Sequence, residues 1–493
     1  MAAGAAFGLA ASAAALLAGP EISLAFDNEG GHVTWLTLFA GVFGVGTLVW
    51  WLMVSRPKRH SPGRGAIAGV FVALLSYPAV LFLAEFLQRD WQANAQIGTF
   101  PERVAYALLL TGLALFTTGF ATMLLLSAVG ALLGRFLPRI QAEPAATEPP
   151  ARGRAATFLG RASFAVGILA VVVVALFSGL FLWLSLLPVR ARNFTPDPSE
   201  VSDVATHEDA LAAFRRIEAR EAVVPLHPRC SSTLLTHGQK AEWAVVFFHG
   251  LTSCPAQADI LAQQLFAMGY NVYVPRLPRH GEADRLTLSL AGLTAEELAG
   301  SAEESVGLGR GLGEEVLVVG LSAGGTMASW LAQSSGQTDG AILVAPFFSP
   351  RVVPPWAVQA ATNLLLLLPN QMIWWDASDT EGNPAMDYAY PRFATHALAQ
   401  VMRLGLIVDA NASAERPVVR ALGVLLNEAD ESISNRAVER VIAAWRKHGG
   451  EVDLELVPLS HRLPHDLIDP RQEEADIEFV YPVLIEMISR LNN

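Results

Sequence analysis

Residues 315–325 read EVLVVGLSAGG, and this stretch decides the fold. A continuous apolar run ends at Gly320 and is followed by Ser322, Gly324 and the start of a helical pattern. An apolar run bounded by glycine is typical of a strand that is buried on both faces of a sheet. The spacing G-x-S-x-G at a strand-to-helix junction predicts a sharp turn that exposes the Ser322 hydroxyl at the carboxyl end of that strand.

Similar apolar runs recur on both sides of this stretch, with helical patterns between them. The runs are 243–248, 271–274, 341–344, 421–426 and 452–457, and the helical patterns are 256–268, 295–312, 324–333, 435–448 and 477–491. Strands that alternate with helices form βαβ units, so we predict a doubly wound α/β domain with a mostly parallel sheet over residues 241–493. Reactive groups in such a sheet gather at the carboxyl ends of the strands.

The first strand runs into the sequence HGLT at 249–252. A tight turn here can present the backbone N–H of Leu251, and the helix behind Ser322 begins with the N–H of Ala323. These two donors are the candidate oxyanion hole for a reaction at Ser322. We interpret His249 as a structural residue that orders the turn rather than as a base.

Candidate acids and bases follow the last two strands. The sequence NEADES at 427–432 carries three carboxylates, of which Asp430 is preferred and Glu428 is its main rival. The sequence SHRLPHD at 460–466 offers His461 and His465. We prefer His465, because its position suits the return of the chain over the sheet to Ser322. The carboxylate would hold the imidazole in the required tautomer and stabilise the imidazolium.

Five pieces of the sequence carry a family resemblance: FFHGLTSCPAQ, PRLPRHG, VVGLSAGG, LLNEADESIS and LPHDLIDP. They resemble the α/β-hydrolase superfamily and, within it, the monoacylglycerol lipase/carboxylesterase-like branch, also called the serine aminopeptidase group. The resemblance covers residues from about 241 to 493. It implies serine hydrolase activity with the triad Ser322, Asp430 and His465. In this branch the turn after the second strand usually reads G-H-G, whereas residue 279 is an arginine here, so the shape of this loop stays open.

An insertion from about 346 to 416 lies where this family carries a cap. It holds five leucines at 364–368 and the aromatic residues Trp374, Trp375, Tyr388, Tyr390 and Phe393. An apolar cap beside the serine predicts an acyl-binding pocket, and so a hydrophobic ester as substrate. The alternative is that these residues only pack the cap onto the body. The histidines lack metal-ligand spacing, so neither a metal nor a cofactor is expected.

Composition divides the chain into an apolar front and an acidic back. Of 493 residues, 52% are hydrophobic and 16% are charged, against about 25% charged in an ordinary soluble domain. Residues 1–195 carry 13 Lys and Arg against 8 Asp and Glu, whereas the remainder carries 21 against 38. An acidic body without a basic stripe makes nucleic acid an unexpected partner. The pattern assigns no protein partner.

The front contains four uncharged runs that are long enough to cross a bilayer, which takes about 20 apolar residues. They are Val33–Val54, Ala66–Ala84, Val104–Gly134 and Ala162–Val189. A fifth run, Met1–Pro20, is interpreted as a retained helix, with a signal sequence as the alternative. We therefore predict a transmembrane α-helical bundle of four or five helices over residues 1–192, with the lipid bilayer as partner. A linker covers residues 193–240.

Basic residues are concentrated after the first and third of these runs. The loop at 55–65 carries Arg56, Lys58, Arg59 and Arg64, and the loop at 135–161 carries five arginines. Loops rich in Lys and Arg remain on the cytoplasmic side. We therefore expect a multi-pass protein of the cytoplasmic (inner) membrane, with the hydrolase-like domain outside the cytoplasm.

The two cysteines, Cys230 and Cys254, both lie in the part of the chain predicted to be outside the cytoplasm. An oxidising compartment allows them to pair, and a disulfide would join the segment before the first strand to the loop of the candidate oxyanion hole.

Two functions other than ester hydrolysis remain open. In an acyltransferase, the same triad would pass the acyl group to an alcohol instead of water. In a ligand-binding or sensor protein, the hydrolase fold would bind a ligand without catalysis.

Overall fold

The structure is a computed structural model that describes residues 6–7, 42–55, 64–73, 75–76, 126–133, 179–188, 194–197, 204–376 and 384–491. The chain divides into two compact units, Met1–Trp183 and Leu184–Asn493. The first unit is helical where it is described, at residues 42–50, 64–73 and 126–133, with a π-helical turn at Trp51–Ser55.

Two helical stretches of the first unit lie in close contact. Residues 64–73 and 126–133 approach at Gly65, Gly69 and Gly130, where an added Cβ would clash with backbone atoms of the opposite stretch. Among the described residues, no helix combines the length and the apolar character that crossing a membrane requires. Large parts of the four predicted spans, and most of Met1–Pro20, lie outside the described residues, so the transmembrane bundle stays a prediction.

The second unit is built on a sheet of seven strands within the described residues. The strands are β1 Thr233–Leu235, β2 Ala241–Phe248, β3 Asn271–Val274, β4 Gly313–Leu321, β5 Gly340–Val344, β8 Ala421–Asn427 and β9 Asp453–Val457, while β6 Met372–Trp374 and β7 Arg392–Ala394 form a separate small sheet. In spatial order the seven strands run β1-β3-β2-β4-β5-β8-β9, where β1 pairs antiparallel with β3 and every other neighbouring pair is parallel. The prediction of a mostly parallel sheet is confirmed.

Helices cover this sheet. The described helices are α1 His207–Glu221, α2 Asp259–Ala267, α3 Ala295–Leu312, α4 Ala323–Ser334, α5 Val358–Leu367, α6 Thr395–Ala412, α7 Asn435–Lys447 and α8 Ile477–Leu491. All residues of β3 and β5 are buried, as is β4 from Val316 to Leu321, which requires cover on both faces. This burial explains why the strands read as unbroken apolar runs.

The domain extends upstream of its predicted start at residue 241. Strand β1 forms the edge of the sheet, and α1 packs against α3. Helix α1 begins at a capping box, because the Thr206 hydroxyl accepts the Asp209 N–H and the Asp209 carboxylate accepts the Thr206 N–H. Most of the predicted linker, from Thr206 to Leu235, is therefore part of the folded domain.

The insertion at 346–416 contains two different structures. Its first part holds α5 and a two-stranded antiparallel sheet, β6 Met372–Trp374 with β7 Arg392–Ala394. Its last part is α6, which packs against α4 and α3 of the domain body. A crossover between parallel strands needs such a helix, so α6 belongs to the β5-to-β8 connection. Helix α6 also packs against α5, so this part of the predicted cap insertion contacts both the cap and the domain body.

We expect Gly324→Ala to destabilise the domain by about 3 kcal/mol or more, because its Cβ would meet the Phe248 and His249 carbonyl oxygens of neighbouring chain. Gly336→Ala is the matched control, since nothing lies within 4 Å of its added Cβ. Urea unfolding of both variants measures the difference. Equal midpoints for the two variants would contradict the close approach of α4 and β2.

Candidate active site

Ser322 sits in a strained turn between β4 and α4. Its backbone adopts φ 56° and ψ −114°, a conformation that costs a non-glycine residue of order 1–3 kcal/mol. Three hydrogen bonds hold it there: Ser322 N–H donates to Val344 O, and Ser322 O accepts from Thr326 N–H and Phe347 N–H, each at 3.0 Å. The side chain is half-buried and lines a cavity.

Gly320 and Gly324 leave the room that this turn needs. A Cβ on Gly320 would clash with the carbonyl group of Gly324, and one on Gly324 would clash with the carbonyl group of Phe248. The helix therefore starts directly against the end of β2. This close approach is the physical reason for small residues on both sides of Ser322.

His465 and Asp430 form a hydrogen-bonded pair above the sheet. The distance from His465 Nδ1 to Asp430 Oδ2 is 2.6 Å. The second oxygen, Asp430 Oδ1, accepts from Ser432 N–H at 2.8 Å and Ile433 N–H at 3.1 Å. Asp430 is 2% exposed, and these hydrogen bonds hold its carboxylate in one orientation. His465 lines the cavity, and its Nε2 is the nitrogen that does not bond Asp430.

The charges around His465 favour its protonated form. Burial works to lower the pKa of His465, but the charge of Asp430, its hydrogen bond and the charge of Asp466 together raise that pKa above 6.5. In the described part of the chain, no hydrogen bond joins the Ser322 hydroxyl to His465, although both residues line the same cavity. Catalytic hydrogen bonds are often long before substrate is bound.

The rival acid and base lie elsewhere. His461 is exposed and stacks on Phe479 with ring centroids 4.0 Å apart. Glu428 is exposed and accepts the Leu459 N–H at 3.0 Å. The structure therefore brings together His465 and Asp430 and leaves both alternatives on the surface.

Hydrogen bonds to the Gly250 carbonyl fix the direction of the Leu251 N–H, because both groups belong to one peptide. The carbonyl of that peptide, Gly250 O, accepts from His249 Nδ1 at 2.9 Å and from Ser253 N–H at 3.2 Å. A trans peptide directs its N–H opposite to its C=O. Holding Gly250 O on one side therefore fixes the Leu251 N–H on the other, and Leu251 and Ala323 line the cavity beside Ser322.

His249 is a neutral, structural residue. It is fully buried, and Nε2 accepts the Leu277 N–H at 3.1 Å, so the hydrogen is assigned to Nδ1. Burial and the neighbouring His280 lower the pKa of His249 well below 6.5. The ring therefore works as a fixed donor to Gly250 O, in agreement with the structural role expected from sequence.

Gln257 is a positioning residue that sequence reasoning missed. Its Oε1 accepts the Gly250 N–H at 2.8 Å, and its Nε2 donates to Asp466 Oδ2 at 2.6 Å. One buried amide thus joins the loop after β2 to the loop that carries His465. Gln257 and Asp466 are 209 positions apart, so no local sequence pattern predicts this contact.

Arg279 stands where the G-H-G turn usually has its first glycine, and a salt bridge holds its side chain. Arg279 adopts φ 67°, in the left-handed region where glycine is favoured. Its guanidinium donates from Nη2 to Glu297 at 2.8 Å and from Nε at 3.0 Å. Burial lowers the pKa of the adjacent His280 to about 4. The loop keeps a left-handed turn at this position despite the missing glycine.

The cavity above Ser322 measures about 540 Å³ and is mostly apolar. Of the predicted cap aromatics, Trp375, Tyr390 and Phe393 line it. Tyr388 is instead buried beside the two cysteines. Among the described residues a larger space of about 690 Å³ lies among ion-paired side chains such as Arg420 and Arg490, away from these groups. We assign the site to the smaller cavity, because the candidate residues converge there.

Cys230 and Cys254 are joined by a disulfide, with their Cα atoms 5.2 Å apart. Both sulfurs are buried, and the cap residue Tyr388 packs against them. The bridge closes a segment of 24 residues, which stabilises by roughly 3 kcal/mol in the chain-entropy description. It anchors the end of the loop that presents Leu251.

Comparisons with known proteins agree with this architecture. The model of the alpha/beta hydrolase family matches residues 245–476. The thermostable monoacylglycerol lipase of Bacillus sp. (strain H-257) is 27% identical over 198 residues, which are 40% of this chain and 74% of that protein. The chain therefore carries an alpha/beta-hydrolase domain. Within that class, its relatives include a monoacylglycerol lipase.

Two solved structures are also similar to the domain. The crystal structure of the Paleococcus ferrophilus monoacylglycerol lipase is 17% identical and covers 52% of this chain and 98% of its own, with a TM-score of 0.39. A structure from the metagenome-derived lipolytic enzymes LipS and LipT is 17% identical and covers 54% and 99%, with a TM-score of 0.41.

We expect Asp430→Asn to lower kcat by roughly 10⁴-fold, because an amide leaves the imidazole in the wrong tautomer and cannot stabilise its charge. Glu428→Gln, the same chemical change on the rival acid, should stay close to wild type. Steady-state hydrolysis of a soluble short-chain nitrophenyl ester measures both variants. Equal losses in the two variants would remove Asp430 from its assigned role.

Proposed function

We propose that this protein is a serine hydrolase that cleaves carboxylic esters with hydrophobic acyl groups. The observation that carries the proposal is the convergence of the Ser322 turn and the His465–Asp430 pair on one cavity. A hydroxyl on a strained turn, a base whose orientation is held by a carboxylate, and two N–H donors beside them are the parts that acyl transfer needs. The apolar cap side chains favour a hydrophobic acyl group.

The proposed reaction has two halves. The Ser322 oxygen attacks the ester carbonyl carbon while its proton passes to the free nitrogen of His465. The N–H groups of Leu251 and Ala323 hold the negative oxygen of the tetrahedral intermediate. The C–O bond then breaks, the leaving alcohol takes the proton from His465, and an acyl-enzyme remains on Ser322. Water repeats the sequence, releases the acid and restores the hydroxyl.

We further propose that the domain is held at a cytoplasmic membrane, on its outer side. The uncharged runs of the first 192 residues support the membrane placement, and the basic loops at 55–65 and 135–161 support the outer side. The close contact through Gly65, Gly69 and Gly130 is also typical of membrane helices, which associate through small residues. A bilayer next to the domain would supply esters with long acyl chains.

A fluorophosphonate probe should label the wild-type protein, and Ser322→Ala should abolish the labelling because the probe reacts with an activated serine. Ser231→Ala, at an exposed serine, is the matched control and should label normally. On intact cells, a membrane-impermeant form of the probe should label the protein if the domain lies outside. Folded wild-type protein that resists the probe would favour a ligand-binding role, and product analysis with added alcohol separates hydrolysis from transfer.

Activity should rise with pH through the pKa of His465. The base must be neutral to accept the serine proton, and Asp430 and Asp466 raise its pKa above 6.5, so kcat/KM falls as pH drops through that raised value. Asp430→Asn removes the largest raising influence and should move the residual acid limb to lower pH. Rates from about pH 5 to about pH 9 test this. An acid limb well below 6.5 in wild type would exclude His465 as the base.

A further inference from the structure

The cap donates two hydrogen bonds to Thr252 in the oxyanion loop, residues 248–254, and Tyr388 of the cap also packs against Cys254 of this loop. Trp375 Nε1–H donates to Thr252 Oγ1 at 2.8 Å. Tyr390 N–H donates to Thr252 O at 2.8 Å. Trp375 directly follows β6 and Tyr390 lies two residues before β7, so both contacts come from the two-stranded sheet of the cap.

The backbone conformation of Thr252 is unfavourable and needs support from neighbouring groups. Its φ of 68° lies in the left-handed region, which is a genuine outlier for a β-branched residue. Such a conformation costs of order 1–3 kcal/mol and persists only where neighbouring groups determine it. The two cap contacts and the burial of Thr252, which is 5% exposed, meet this requirement.

The Thr252 hydroxyl links Trp375 to the peptide carbonyl of Leu251 by hydrogen bonds. It donates to Leu251 O at 2.5 Å while it accepts from Trp375, so the three groups form a chain of hydrogen bonds. The chain fixes the peptide on the carboxyl side of Leu251. His249 and Ser253 fix the peptide on its amino side. With both peptides held, the Leu251 N–H has one direction.

Trp375 is also part of the cavity wall. Its ring packs against Phe393 with centroids 4.3 Å apart and the ring planes tilted by 38°, both side chains line the cavity, and Trp375 is 52% exposed. One face of the indole thus belongs to the acyl-binding wall while its N–H reaches the loop. The cap and the oxyanion loop share one side chain.

We propose that Trp375 is a positioning residue that holds the Leu251 N–H in its reactive direction through Thr252. The inference rests on the proposed serine hydrolase function and adds a role for the cap. The cap then contributes to stabilisation of the transition state as well as to acyl binding. Because the Leu251 N–H strengthens its contact only when the oxyanion forms, loss of the Trp375 N–H should lower kcat and leave KM nearly unchanged.

Conservative variants test each link of this chain. Trp375→Phe keeps a ring over Phe393 but removes the N–H, and Thr252→Val keeps the β-branched shape but removes the hydroxyl. Loss of a whole oxyanion donor costs on the order of 10²–10³ in rate, so a loosened donor should cost about tenfold in kcat. The double variant should be no slower than the slower single variant, because both changes break one chain. Thr252→Ser, which retains the hydroxyl, should recover most of kcat.

Trp356→Phe is the matched control, since this exposed indole belongs to the same insertion and does not line the cavity. It should leave kcat and KM near wild type. The rate of fluorophosphonate labelling at Ser322 is a second readout and should fall in parallel with kcat. Thermal unfolding of every variant shows whether it is folded.

Two results would overturn the inference. Losses of Trp375→Phe and Thr252→Val that multiply in the double variant would show two independent roles, and a raised KM at constant kcat would make Trp375 only a wall of the acyl pocket. Failure of the proposed function looks different, because ester turnover would then be absent from the folded wild-type protein or would survive Ser322→Ala. In that case the inference falls with the function on which it rests.

Discussion

The approach of α4 to the end of β2 sets the geometry on which the site depends. Gly324 lies against the carbonyl group of Phe248, and no side chain with a Cβ fits between them. The Ala323 N–H at the start of α4 therefore lies near the loop that begins after Phe248. Because that loop carries the Leu251 N–H, the two donors can act on one atom. The strain at Ser322 is the cost of starting a helix this close to a neighbouring strand.

Around this contact, the oxyanion loop is held from three directions. His249 holds it from the domain interior, Gln257 ties it to the loop of His465, and Trp375 with Tyr390 ties it to the cap. His249, Gln257 and Tyr390 each bond a different peptide of the loop, and Trp375 bonds the Thr252 hydroxyl. A preorganised donor costs no reorganisation when the oxyanion forms, which is why such anchoring matters for rate.

The surroundings of His249 and His465 shift the pKa values of the two imidazoles in opposite directions. Burial next to another imidazole lowers the pKa of His249, which stays a neutral donor. For His465, the carboxylates Asp430 and Asp466 outweigh burial and raise its pKa. The same side chain is therefore a structural anchor at the end of β2 and a candidate base after β9. The difference comes from carboxylates that belong to two different loops.

The sequence by itself determined the parallel sheet and the serine turn, because buried strands are continuous apolar runs and the G-x-S-x-G turn is local. It missed β1, β6 and β7, three-residue strands that carry no periodic signal. It also predicted no helix at Thr395–Ala412, where α6 lies within the predicted cap insertion. The sequence already favoured His465 over His461, but only the tertiary structure shows the hydrogen bond of His465 to Asp430 and the contacts of Gln257, Thr252 and Trp375. These hydrogen bonds join residues 35 to 209 positions apart, and such pairs meet only when the sheet brings its loops to one edge.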